Sequence, residues 1–215
     1  MDFFDAVAEK AHVRRYEKTD VEDKLIGVML YMANSAESAG DMQSWEFVVV
    51  RDSKVKEGLY NASLKLNIVR EAPVNIVVCA DLKKQSLKYH ERGEYVYSLQ
   101  DTASAITIMM VTAELVGLGT NWVRAFDEAK VKQVLGLPDN IRPVGIITVG
   151  YPLEKTRENN RSPFEYLTWV DQYHKKSDKS YLYQTGPKED VFKPILNQIL
   201  DKLKKKDQMS DKVNK

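Results

Sequence analysis

Residues 95–116 read as one long helix. Its middle, Ala103, Ala105, Ile106, Ile108, Met109, Met110, Val111 and Ala113, is apolar nearly all the way round. A helix at a protein surface needs an apolar stripe on one face only. One that is apolar on every face has to be covered on every side, by a domain core or by a second subunit. Gly117 and Gly119 end it. Burying such a helix in water requires sheet and helix layers around it, so the other segments must supply that cover.

Strand-like runs lie at 46–51, 74–80, 120–125 and 144–150. The run 74–80, VNIVVCA, is apolar apart from Asn75, as in a strand covered on both faces. A helix is expected at 2–11, with Phe3, Phe4, Val7 and Ala8 on one side, and another at 21–33, capped by Thr19 or Asp20. Two more are expected, at 53–66 capped by Ser53 and at 128–135 capped by Asp127 and stopped by Gly136 and Pro138. Helices and strands alternate without βαβ regularity, which favours an α+β fold over a doubly wound sheet. The tail is different in character. Val191, Phe192, Ile195, Leu196, Ile199, Leu200 and Leu203 recur at helical spacing ahead of a lysine run, which makes 190–204 an amphipathic helix with a basic end.

Composition narrows the function classes. With 215 residues, 43% of them hydrophobic, the chain suits one domain with an appendage. A net charge of +1 supplies no global field for nucleic acid or a membrane surface. No segment reaches the roughly 18–20 uncharged apolar residues of a membrane span, and the N-terminus lacks a basic-then-apolar signal pattern. The single cysteine, Cys79, excludes an internal disulfide framework and a multi-cysteine metal site, and fits a reduced cytoplasmic setting. His12, His90 and His174 have no metal-ligand spacing.

Two clusters carry chemistry. In KAHVRRY, residues 10–16, four potentially cationic groups fall immediately after a helix. Arginine forks match phosphate oxygens and lysine adds a point charge, although the same pattern serves a solvated charged face. In NSAESAGDMQSWEFVVV, residues 34–50, small and polar side chains lead directly into a buried-looking strand. Ser38, Asp41 and Gln43 can hydrogen-bond the edge of a planar polar ligand, and Gly40 lets backbone approach closely, although turn residues after a helix have the same composition.

Taken together, these stretches resemble the FMN-dependent nitroreductase family. The resemblance runs from residue 2 to about 170 and rests on five stretches in order: HVRRY, the 34–50 segment, EAPVNIVVCA, the block LQDTASAITIMMVTAELVGLGTNWVRAFDEAKVKQVLGLPDNIRPVGIITVGYP, and RSPFE at 161–165. It implies an α+β fold, a nitroreductase-like mixed sheet flanked by helices, with the long central helix at a dimer interface. Residues 1–170 would form the FMN-binding domain and 171–215 a C-terminal extension. It also implies a homodimer with sites built from both subunits. The cofactors would be FMN, with NADH or NADPH as electron donor, and a small-molecule acceptor would be the partner.

By position, the resemblance assigns Lys10 and His12 to phosphate or ribityl oxygens and Arg14 to the pyrimidine side of the flavin. Ser38, Ala39, Gly40, Asp41 and Gln43 match the segment that reaches the flavin of the opposite subunit. Arg124 and Ala125 lie at the strand end that runs along the ring, and Arg161, with Arg157 as a weaker candidate, matches a late phosphate-gripping arginine. The chain departs from the family pattern at Lys10-Ala11, at His12, at Asp41 in place of an asparagine, and at Ser44 in place of a proline. An ionised Asp41 cannot donate a hydrogen bond and opposes negative charge on a reduced flavin. No catalytic acid or base is assigned, because a flavin carries the electron chemistry itself. The implied reaction is ping-pong transfer from NAD(P)H to a nitroaromatic, quinone or similar acceptor. Two alternatives stay open: a same-fold enzyme that dehalogenates aromatics or consumes flavin, with 82–93 as part of its substrate lid, and a non-catalytic flavin-binding protein.

Overall fold

The computed structural model describes residues 3–9, 12–156, 162 and 166–175. It divides into two compact units, Met1–Asn159 and Asn160–Lys215. The expected tail helix, and Lys10, Arg157 and Arg161, lie outside the described residues.

In the first unit, α1 (Phe3–Glu9) leads into β1 (His12–Tyr16) and α2 (Asp23–Ala33). Then come β2 (Trp45–Val50), α3 (Ser53–Ala62), α4 (Asn67–Glu71) and β3 (Val74–Asp81). Helix α5 (Leu82–Arg92) runs through a π-helical turn (Gly93–Tyr97) into the long α6 (Ser98–Leu115). The unit closes with β4 (Gly119–Val123), α7 (Glu128–Leu135), β5 (Ile141–Gly150) and β6 (Pro152–Thr156).

The central sheet has the order β2-β3-β5-β4, and β1 pairs with β6 in a separate ribbon. Every strand pairing among the described residues is antiparallel, so the parallel pair of a mixed sheet is not among them. Strand β3 shows why its sequence is continuously apolar. Val74, Ile76 and Val78 enter one core with Met29 of α2 and Ile106 and Met109 of α6, whereas Val77 and Cys79 enter a second with Leu59 of α3 and Val131 of α7. Successive side chains of a strand point to opposite faces, and here both faces are roofed by helices. Asn75, the polar residue of the run, donates its amide to the Val69 carbonyl at 2.8 Å.

Several local expectations need correction. Helix α2 begins after Glu22, not after Thr19 or Asp20, and Glu22 makes no side-chain cap bond. Asp52, not Ser53, caps α3, with one carboxylate oxygen accepting from Lys54 N–H and Val55 N–H at 2.8 and 2.9 Å. That helix also stops at Ala62, and a second short helix follows. Among the described side chains of α1, Ala6 is buried while Phe3 and Val7 are exposed. Helix α7 matches its expected span, with Asp127 accepting from Lys130 N–H and Gly136 in the left-handed region at φ 66°. Its own chain covers α6 on most sides but leaves Gln100, Ser104, Thr107 and Leu115 exposed along one stripe. The charged segment read as part of a substrate lid forms helix α5, bent at His90, where φ is 49°.

Cys79 is the buried strand residue its context suggests. Burial pushes its thiol up to about 12, with Glu46 raising it further and Lys132 partly opposing. The Tyr16 phenol is also raised, chiefly by burial, and it sits 2.7 Å from Thr148 Oγ1. An unfolded thiol ionises near pH 9 while the folded one keeps its proton to about 12, so the native state binds more protons in that window. Stability therefore falls as pH rises from 9 to 12, by about 1.4 kcal/mol per pH unit for this group once the unfolded thiol is ionised. Tyr16 adds a loss of the same sign at higher pH. Urea unfolding across this range is expected to show a shallower decline for Cys79→Ala, and Ellman's reagent should label native Cys79 only after denaturant is added.

In the second unit, Val170 N–H donates to the Lys175 carbonyl at 2.8 Å, and the rings of Trp169, Tyr173 and His174 lie with centroids 4.1–5.4 Å apart.

Candidate functional site

The segment between α2 and β2 is closed at its two ends by one contact: Trp45 Nε1 donates to Asn34 Oδ1 at 3.0 Å. Asn34 also ends α2, its backbone N–H donating to Leu30 O at 2.9 Å. Between these ends the chain makes a 3₁₀ turn (Ala39–Asp41), and Gly40 and Asp41 within it and Gln43 just past it have positive φ, 59°, 58° and 48°. Only glycine adopts that region without penalty, so Asp41 and Gln43 store strain that surrounding contacts must hold. A Cβ on Gly40 would collide with the Tyr89 hydroxyl and the Lys88 ammonium.

The loop's own polar groups do part of the holding. Ser38 Oγ accepts from Gln43 N–H at 3.0 Å, and Gln43 Nε2 donates to Asp41 Oδ1 at 2.7 Å. The Ser38 hydroxyl and the Gln43 amide, expected to face a ligand, are therefore bonded within the loop. Contacts from outside it do the rest. From α5, Lys84 Nζ donates to Gln43 O at 3.0 Å and Lys88 Nζ to Gly40 O at 3.1 Å. From α6, Asp101 accepts from Ala39 N–H at 3.0 Å, from Ser44 Oγ at 3.4 Å and from Gln85 Nε2. The sequence shows Asp101 only as one carboxylate on an apolar helix, and Gln85 only as part of a charged stretch.

Asn34, Ser38, Gly40, Asp41 and Gln43 line a cleft of about 770 Å³. That volume lies within the range of small-molecule and cofactor sites. A second groove, about 660 Å³, lies among Lys18, Asp20, Arg51, Lys56 and Glu71. Two of its cations are already engaged: Arg51 Nη2 donates to Val21 O and Asp23 Oδ1 at 2.7 and 2.8 Å, and Lys56 Nζ to Ala72 O at 3.0 Å.

The remaining expected residues form another group. Strand β1 has a bulge. Val13 pairs with Lys155 and Arg15 with Glu154, so Arg14 has no partner in the ladder. The burial pattern breaks from strict alternation, and Arg14 and Arg15 are both exposed. Bulges of this kind re-aim a side chain and are common beside active sites. His12 is exposed at the start of the same strand. Strand β4 is tied to β1 by Asn121 Nδ2, which donates to Val13 O at 3.0 Å. Just past β4, Arg124 and Ala125 are exposed, and the Arg124 guanidinium stacks 3.7 Å above the Trp122 ring. Ser38, Gly40, Asp41 and Gln43 are thus brought to one cleft, whereas His12, Arg14, Arg124 and Ala125 are brought to β1 and the end of β4 and do not line it.

A model of the Nitroreductase family matches residues 7–70 and 63–151, which takes in α1 through β5 and both groups of site residues. The chain belongs to the nitroreductase family. An NADH dehydrogenase of Thermus thermophilus is 28% identical over 192 residues, covering 77% of this chain and 94% of that one. An NADPH-dependent oxidoreductase of Staphylococcus aureus is 23% identical over 195 residues, covering 84% and 78%. The crystal structure of a nitroreductase family protein from Streptococcus pneumoniae superposes with a TM-score of 0.71 at 23% identity, covering 78% of this chain and 98% of that one. At that identity the likeness bears on the fold alone. Among the described residues of this nitroreductase-family chain, no cluster of histidine, cysteine, aspartate and glutamate could hold a metal ion, and no helix is long and apolar enough to cross a membrane.

Proposed function

We propose that this chain is an FMN-dependent oxidoreductase that takes electrons from NADH or NADPH and passes them by ping-pong to a nitroaromatic, a quinone or a similar electron-poor acceptor. The observation that carries the reading is the cleft lined by residues 34–43, a loop whose strained backbone is held from outside by α5 and α6. The residues present fit FMN. A cleft of about 770 Å³ with exposed Gly40 and Asp41 backbone suits a planar polar ring, and the bulged Arg14 offers an exposed cation for its anionic parts. The names of the Thermus and Staphylococcus relatives support a reduced nicotinamide as donor.

FMN, when bound, supplies the two-electron chemistry; the chain supplies position and charge. Arg14 would favour negative charge near the pyrimidine side, and His12 would serve phosphate or ribityl oxygens. Ala39, Gly40 and Asp41 would offer backbone to the ring edge, and Arg124 and Ala125 would border the ring. No side chain is required as nucleophile, acid or base.

The working unit in this proposal is a homodimer. Its support is the exposed apolar surface of Phe3, Val7 and Leu115, together with the stripe of α6 that its own chain leaves open. Two subunits would bring the loop group of one to the β1–β4 group of the other. Residues 1–170 are the FMN-binding domain in this reading and 171–215 an extension, and the single free cysteine accords with a cytoplasmic setting. Steady-state kinetics with NADH or NADPH varied against several fixed concentrations of a quinone are expected to give parallel double-reciprocal lines. Intersecting lines would contradict ping-pong transfer.

A further inference from the structure

We infer that Asp101 is a positioning residue: its buried carboxylate sets the shape of the 34–44 loop, and through that loop the affinity for flavin. The inference rests on the proposed FMN site and adds a residue to it. Asp101 is 4% exposed and projects from α6, whose neighbouring Ala105, Ile106 and Met109 are fully buried in the main core. Its two oxygens collect three donors from two segments, the loop and α5. The Ala39 N–H and the Ser44 hydroxyl come from the two sides of the left-handed stretch, and the Gln85 amide from α5.

The other outside contacts to the loop come from Lys84 and Lys88, both exposed, which bond carbonyls in water-accessible surroundings. Both kinds of bond involve a charged group, but water replaces a lost partner at the exposed lysines, whereas a buried carboxylate that loses a donor is left unsatisfied. Asp101 therefore outweighs the lysines in holding Gly40, Asp41 and Gln43 at positive φ. Gln85 has a second role. Fully buried, it gives its amide nitrogen to Asp101 and leaves its oxygen without a partner, so the carboxylate fixes which way the amide is turned. Asp101 thus couples α5 and the loop through one buried group, and neither segment can shift without breaking a bond to it.

Hydrogen–deuterium exchange of the apo-protein and FMN titration of Asp101→Asn test this on separate readouts. Exchange across 38–44 is expected to rise at least about tenfold, with α6 beyond the first turn unchanged, and the FMN dissociation constant to rise about tenfold or more. The swap Asp101→Asn with Gln85→Glu keeps the charge and one amide–carboxylate pair, and is expected to restore both readouts to within about threefold of wild type. If Asp101→Asn does not fold, Gln85→Met removes one donor at similar volume and should show the same changes in smaller measure. A loop that exchanges at the wild-type rate, exchange that rises throughout α6, FMN affinity unchanged despite a loosened loop, or a swap that rescues neither readout would each overturn the inference. If wild type itself does not bind FMN, the proposed function fails, and the exchange experiment still decides whether Asp101 sets the loop.

Discussion

Arg14→Ala weakens FMN binding by about 10- to 100-fold and leaves the folded chain intact. Arg14 is the extra residue of the β1 bulge and is exposed, so its removal breaks no ladder pair and strands no buried partner. In the proposed site the loss is one charge-assisted hydrogen bond to an anionic part of the cofactor, worth about 1.5–3 kcal/mol, which sets the size of the expected change. Arg15→Ala is the internal comparison. It removes an equal charge one residue along, from a position that pairs in the ladder opposite Glu154. If general electrostatic attraction were responsible, both variants would lose affinity alike and salt would erase the difference. If the bulge aims Arg14, only Arg14→Ala shows the large loss. Quenching of FMN fluorescence on titration with each variant distinguishes the two, and equal losses would remove the bulge from the account.

Ile106→Ala lowers the free energy of unfolding by about 2–5 kcal/mol, the largest stability change expected in this chain. Ile106 is fully buried on α6 and belongs to the core shared by α2, α6, β3 and β5. Truncation there costs the transfer free energy of the lost methyl groups and leaves a cavity that close-packed neighbours fill only in part. Because α6 also carries Asp101, the variant is expected to weaken FMN as well as unfold earlier. Urea unfolding at fixed chain concentration gives the comparison, concentration being held because a dimer is stabilised by its own association. A loss below about 1 kcal/mol would mean that α6 does not anchor this core.

The legible parts of the fold were those in which one segment contains its own reason. The run 74–80 is apolar on both faces and lies between two cores; α7 carries its start at Asp127 and its stop at Gly136. Parts that depend on a distant partner were not legible. Strand β6, PLEKT, has neither alternation nor β-branched residues apart from its last, and it is a strand because β1 pairs with it. Helix α5 reads as a charged lid because its only buried residue is Gln85. The Arg14 bulge cannot be seen in HVRRY, since a bulge is a relation between two strands. For the candidate site, composition singled out the 34–50 segment but not its internal bonding. Ser38 and Gln43 are bound within the loop, and the carboxylate that holds it is 62 positions away from Ala39. Long-range bonds of this kind leave no local signature beyond an isolated charge on an apolar helix.

The most direct measurement is the visible absorption of the protein reconstituted with FMN, recorded without oxygen before and after addition of NADH or NADPH. The proposed function requires that the chain retain FMN through gel filtration and that its flavin band bleach with at least one donor, then return when a quinone is added. A protein that does not retain FMN, or a retained band that neither donor bleaches, would contradict it.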